Sequence, residues 1–141
     1  MSAATSFRDL RVYQLARRAA WEIFECTKTF PKEERYALTD QIRRASRAVK
    51  AMVAEAWGRR RYVAAFVSKL NEALGEANEV QSWLDDALDD GYLPREEFER
   101  MDADWQSVAA MLSRMIDRAE DFSKNAPNTD YRMREEPPEM E

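Results

Sequence analysis

YALTDQIRRASRAVKAMVAEAWGRRR, residues 36 to 61, is the stretch whose reading decides the fold. Leu38, Ile42, Ala45, Val49, Met52 and Ala56 recur in it at alternating steps of four and three, the spacing that gathers side chains on one face of an α-helix. Arg43, Arg47 and Lys50 lie about 140° away around the same helix, so one face asks for a core and another for an anion. The apolar face speaks to architecture, and the basic face is open to nucleic acid, a protein partner or water.

The same period extends outward in both directions. Tyr13, Ala16, Ala20, Ile23 and Thr27 mark a helix over roughly residues 7 to 29. Phe66, Leu70, Ala73, Ala77, Val80, Leu84 and Ala87 mark another from about Tyr62 to Asp90. Phe98, Met101, Trp105, Val108, Leu112, Met115, Ala119 and Phe122 mark a fourth from about Arg95 to Phe122. Pro31, Gly58, Gly91 and Pro94 fall at the boundaries, where chain breakers belong. Gly75 interrupts the third helix and is expected to mark a close approach of two helices. No segment alternates apolar and polar residues at period two, so strands are not expected. Four long helices joined by short connections predict an all-α fold, an antiparallel up-down-up-down four-helix bundle over residues 1–124. Residues 125–141 lose the period and end in Glu-Glu-Pro-Pro-Glu-Met-Glu, which predicts a disordered acidic tail. Within it, Tyr131 to Arg134 is a candidate docking motif set against an inert tail.

Composition narrows the chemistry. The 141 residues include no histidine and one cysteine, which removes Ser-His-Asp and Cys-His nucleophiles, imidazole acid-base catalysis and the usual zinc sites. Glu72, Glu76 and Glu79 share a helical face, and Asp85, Asp86, Asp89 and Asp90 cluster downstream. Di-iron bundles add a Glu-x-x-His pair to such carboxylates, and none can be formed here. A solvated acidic face is preferred to a hard-cation site, and that to a paired-carboxylate glycosidase. We expect no catalytic residue, no metal and no cofactor. The lone Cys26 fits a reducing compartment, and with no apolar run of about 20 residues the expectation is a cytoplasmic protein without a membrane partner.

Charge is unevenly placed. Residues 1–70 carry 15 Lys/Arg against 7 Asp/Glu, and residues 71–141 carry 7 against 20, so the formal −5 hides a basic half and an acidic half. Unlike surfaces of this kind favour association, including association between copies. The densest cationic cluster is Arg43, Arg44, Arg47, Lys50, Arg59, Arg60 and Arg61, a candidate surface for nucleic acid or a protein partner. Trp57 and Tyr62 flank the arginine run; Trp57 is read as an aromatic cap on the bundle rather than a stacking platform. Trp83, beside core position Leu84, is a candidate subunit contact.

Four motifs carry a family resemblance. Leu10-Arg-Val-Tyr-Gln-Leu-Ala16, Phe30-Pro-Lys-Glu-Glu-Arg-Tyr-Ala-Leu38, Gln41-Ile-Arg-Arg-Ala45 and Ala54-Glu-Ala-Trp-Gly-Arg59 stand in order within a similarity that covers roughly residues 7 to 93. They resemble the four-helix-bundle proteins encoded in intervening sequences of bacterial 23S ribosomal RNA genes, to which the accessory variability determinants of diversity-generating retroelements are related. The resemblance implies a non-enzymatic bundle assembled as a homopentameric ring and, in the retroelement branch, a scaffold for RNA or DNA and a reverse transcriptase. Arg43 and Arg44 match the family's Gln-Ile-Arg-Arg-Ala element, and Glu55 with Arg59 its Ala-Glu-Gly and following Arg. The chain departs at Met52, where the family has Asn, at Ala56, where it has Gly, and at Glu76, where it has Ser.

Overall fold

The computed structural model describes residues 4–127. Five helices follow in order: α1 (Arg11–Thr27), α2 (Leu38–Gly58), α3 (Val63–Asp89), α4 (Arg95–Asp117) and a short α5 (Ala119–Lys124). No strand occurs among the described residues. Each long helix packs on its neighbours in sequence, and α1 closes on α4. Cross-helix pairs show the direction. Arg44 meets Glu76 and Glu79 while Lys69 meets Glu55, so residue numbers rise along α2 as they fall along α3. Arg18 meets Asp104 and Glu22 meets Arg100, and the same holds for α1 against α4. The result is an antiparallel four-helix bundle.

The core confirms the apolar period almost residue by residue. All seven stripe positions of α3, from Phe66 to Ala87, are fully buried. In α2 the stripe shifts slightly: Val53 is fully buried and Met52 only half-buried, because a step of four from Val49 points more directly inward at that level.

The first and fourth helices end differently from expectation. Residues 7 to 10 do not join α1. Ser6 and Asp9 close a capping box around a single 3-10 turn, Phe7–Asp9, and Leu10 is extended before α1 begins at Arg11. At the other end Arg118 leaves the helical region, and α5 turns to lay Phe122 against Phe66 at 5.3 Å and Trp57 at 6.5 Å. A straight α4 would forfeit those ring contacts at the open end of the bundle. Between α3 and α4, Gly91 takes φ +82° and the amides of Tyr92 and Gly91 donate to Ala87 and Leu88 carbonyls, a Schellman closure that suits glycine. Tyr92 then donates to Glu34 at 2.7 Å, tying this turn to the α1–α2 connection at the same end.

Gly75 is not a close approach. A Cβ built there would meet no heavy atom within 4 Å, and the residue is exposed, so alanine fits the position. The expected tail over residues 125–141, with its motif Tyr131 to Arg134, lies outside the described residues beyond Pro127.

Candidate partner-binding face

Helix α2 presents its cations to three different surroundings, and the packing of α1 and α3 decides which remain open. Arg43 leans onto α1. Its Nε donates to Thr27 Oγ1 at 2.7 Å, its Nη2 to the Phe24 carbonyl at 3.4 Å, and its guanidinium lies 4.7 Å from the centre of the Phe24 ring. Thr27 is buried, so Arg43 supplies a partner to a hydroxyl that has left water. Arg44 leans the other way and bridges Glu76 at 3.3 Å and Glu79 at 2.9 Å on α3. Glu76, one of the family departures, therefore pairs within the chain with an arginine of the Gln-Ile-Arg-Arg-Ala element.

These two neighbours differ in expected cost. Arg43→Ala removes a hydrogen bond to a buried hydroxyl and a cation over a ring, and should lower stability by about 1–3 kcal/mol. Arg44→Ala breaks a solvent-exposed pair and should cost about 1 kcal/mol or less. Urea unfolding of both variants measures the difference; equal costs would mean that Arg43 is not a tie between helices.

At the end of α2, Arg59 pairs with Glu55 at 3.1 Å. The Arg60 guanidinium stacks 3.7 Å over the Trp57 ring and donates to the Trp57 carbonyl at 2.7 Å; burial there draws its pKa down. Trp57 in turn meets Phe122 edge-on, so it caps the bundle as expected. Arg61 lies 5.0 Å over Tyr62, and its carbonyl accepts from Ser123 of α5. Five of the seven cations, Arg43, Arg44, Arg59, Arg60 and Arg61, are thus held by the chain itself.

Arg47, 5.4 Å over the Phe24 ring, and Lys50 remain without an ion pair, and they are not alone. They line one depression of about 230 Å³ with Arg17, Ala20, Trp21 and Phe24 of α1. Trp21 is 61% exposed, far beyond the half-buried aromatics around it, and no carboxylate among the described residues pairs with Arg17, Arg47 or Lys50. An uncovered indole among three cations without carboxylate partners, of which Arg47 lies 5.4 Å over the Phe24 ring, can stack a planar group and hold a carboxylate or phosphate beside it. Sequence reasoning found Arg47 and Lys50 and missed Arg17 and Trp21. The available signal was a tryptophan one position past core residue Ala20, four residues after an arginine.

The opposite side of the bundle is acidic. Asp85, Asp86, Asp89 and Asp90 crowd the end of α3, where the helix dipole already disfavours negative charge. Burial and then the neighbouring carboxylates of Asp90, Asp89, Asp85 and Glu34 raise the Asp86 pKa. Among the described residues, no three Asp, Glu or Cys side chains gather as a metal site would require. Cys26 is half-buried between α1 and its neighbours; burial, with Glu97 nearby, pushes its thiol up to about 11. Trp83 is half-buried against the core, with its indole nitrogen buried and no protein acceptor in reach. No helix among the described residues is long and apolar enough to cross a membrane.

The fold agrees with a known structure. No curated protein matches the chain. A crystal structure of a protein of unknown function from the S23 ribosomal protein family of Bacteroides thetaiotaomicron is similar, with a TM-score of 0.68 and 29% identity, covering 75% of this chain and 95% of that one. The model of the 23S rRNA-intervening sequence proteins matches residues 8–114, and the chain belongs to that family.

Proposed function

We propose that the chain is a non-catalytic interaction module of the cytoplasm that assembles with copies of itself into a cyclic homo-oligomer, a pentamer if the ring follows the resemblance. The observation that carries this reading is the polarity of the bundle. The α1–α2 side offers Trp21 with Arg17, Arg47 and Lys50, three cations without a carboxylate partner among the described residues, and the α3–α4 side across the bundle offers Asp85, Asp89 and other exposed carboxylates. Repeated head-to-tail contacts between unlike faces close into a ring when the rotation allows. Light scattering across a salt series tests the idea. The expected mass at low salt is about five times the 16.5 kDa chain, falling as salt screens the contact. A monodisperse monomer at low salt would end this reading.

A second reading, binding of RNA or DNA alone or beside a reverse transcriptase, is favoured by one specific observation: the exposed Trp21 indole sits among cations in the way that single-strand binders combine stacking with phosphate contacts. The interface for it is the α1–α2 depression rather than the whole arginine cluster of α2.

A further inference from the structure

We propose that the cleft between the start of α1 and the end of α4 is a binding site for a small amphipathic acid, an aliphatic carboxylate whose tail lies on the cleft floor and whose head is held by arginine. The cleft measures about 330 Å³, at the lower end of the size of small-molecule sites. Its floor is apolar. Leu10, Val12 and Met115 are buried there, and half-buried Met111 and Phe122 widen it; methionine suits a flexible chain because it repacks easily.

The rim is cationic. Arg11, Arg114 and Arg118 all line the same opening. Arg118 reaches Asp121 at 3.6 Å, and neither Arg11 nor Arg114 has a carboxylate partner among the described residues. Two of these positions have an ordinary explanation, since cations at the C-terminal end of α4 complement its dipole. Arg11 does not. It opens α1, at the positive end of the α1 dipole, in a first turn without an acidic residue and behind an N-cap that makes no side-chain bond. Three like charges therefore converge on an apolar hollow, and an anion with a hydrocarbon tail satisfies both parts together. A bare anion would leave the floor unused, and a neutral or cationic tail would leave the arginines unanswered.

Titration of the full-length chain with octanoate, followed by calorimetry and by the methyl signals of Met111 and Met115, tests the proposal. Octanoate should bind saturably at one site, about tenfold or more tighter than acetate or octylammonium, and should move both methionine signals. Arg11→Gln with Arg114→Gln should weaken octanoate about tenfold or more while leaving thermal unfolding nearly unchanged, since neither side chain has a carboxylate partner to lose and removing a cation from the start of α1 offsets removing one from the end of α4. Each single Gln variant gives the same reading if the pair fails to fold. Absence of saturable octanoate binding overturns the proposal. So does equal binding of octylammonium, which would mean an apolar patch only, or of acetate, which would mean an adventitious anion only. Wild-type affinity in the Gln variants overturns it as well. The site shares no residue with the α1–α2 depression, so its failure leaves the assembly reading untouched, and the reverse.

Discussion

Trp105→Ala is expected to remove about 3–5 kcal/mol of stability, and Trp105→Phe less than about 2 kcal/mol. Trp105 is fully buried in the middle of the α4 stripe, between Met101 and Val108, where truncation leaves a cavity that the surrounding helices can fill only in part. Its indole nitrogen, however, is buried without a protein acceptor. That N–H gave up its hydrogen bond to water on folding and carries a desolvation cost of about 1–3 kcal/mol in the wild type. Phenylalanine keeps most of the ring while removing the orphaned donor, so its smaller volume is offset. Urea unfolding with the m-value held constant separates the two variants. If Trp105→Phe costs as much as Trp105→Ala, the indole nitrogen has a partner and the argument from the orphaned donor fails.

Trp105 also marks what can be read from a sequence of this kind. Its place in a core stripe follows from spacing alone, because a helix repeats its faces whatever it packs against; the α3 stripe from Phe66 to Ala87 was legible in full for the same reason. Where helices stop depends on what they meet. The break at Arg118 serves a contact between Phe122 and Phe66, residues 56 positions apart, and nothing near Arg118 announces it. The fate of the cations is a matter of register between helices. Arg43 and Arg44 are adjacent in sequence and 100° apart on the helix, which is enough to send one to α1 and the other to α3. Charge density along a single helix does not reveal this. Trp21 escaped attention because its cationic neighbours Arg47 and Lys50 come from another helix, and only the α1–α2 packing puts them beside it.

Replacing Arg17, Arg47 and Lys50 together by glutamate is expected to abolish self-association at low salt and leave the fold intact. All three lie on the surface of α1 or α2 without a carboxylate partner among the described residues, so the reversal breaks no ion pair and costs only the contact of Arg47 over the Phe24 ring; Arg43 and Arg44, which do hold helices together, are kept. If the depression receives an acidic face of the next copy, three charges change sign against that face, and like-charge contact replaces attraction. The variant should then run as a monomer where the wild type is a ring, with an unchanged helical circular-dichroism spectrum. Trp21→Ala, which removes the flat centre of the contact without touching charge, should weaken association at every salt concentration rather than at low salt alone. The same proteins decide the second reading. Single-stranded RNA bound over this face should quench Trp21 fluorescence, and loss of three phosphate contacts should flatten the plot of log affinity against log salt by about 2. A wild type that forms no ring but loses RNA binding in the triple variant assigns the face to nucleic acid. A triple variant that still assembles as the wild type does removes this face from the ring contact, because no interface centred on these residues could survive their reversal.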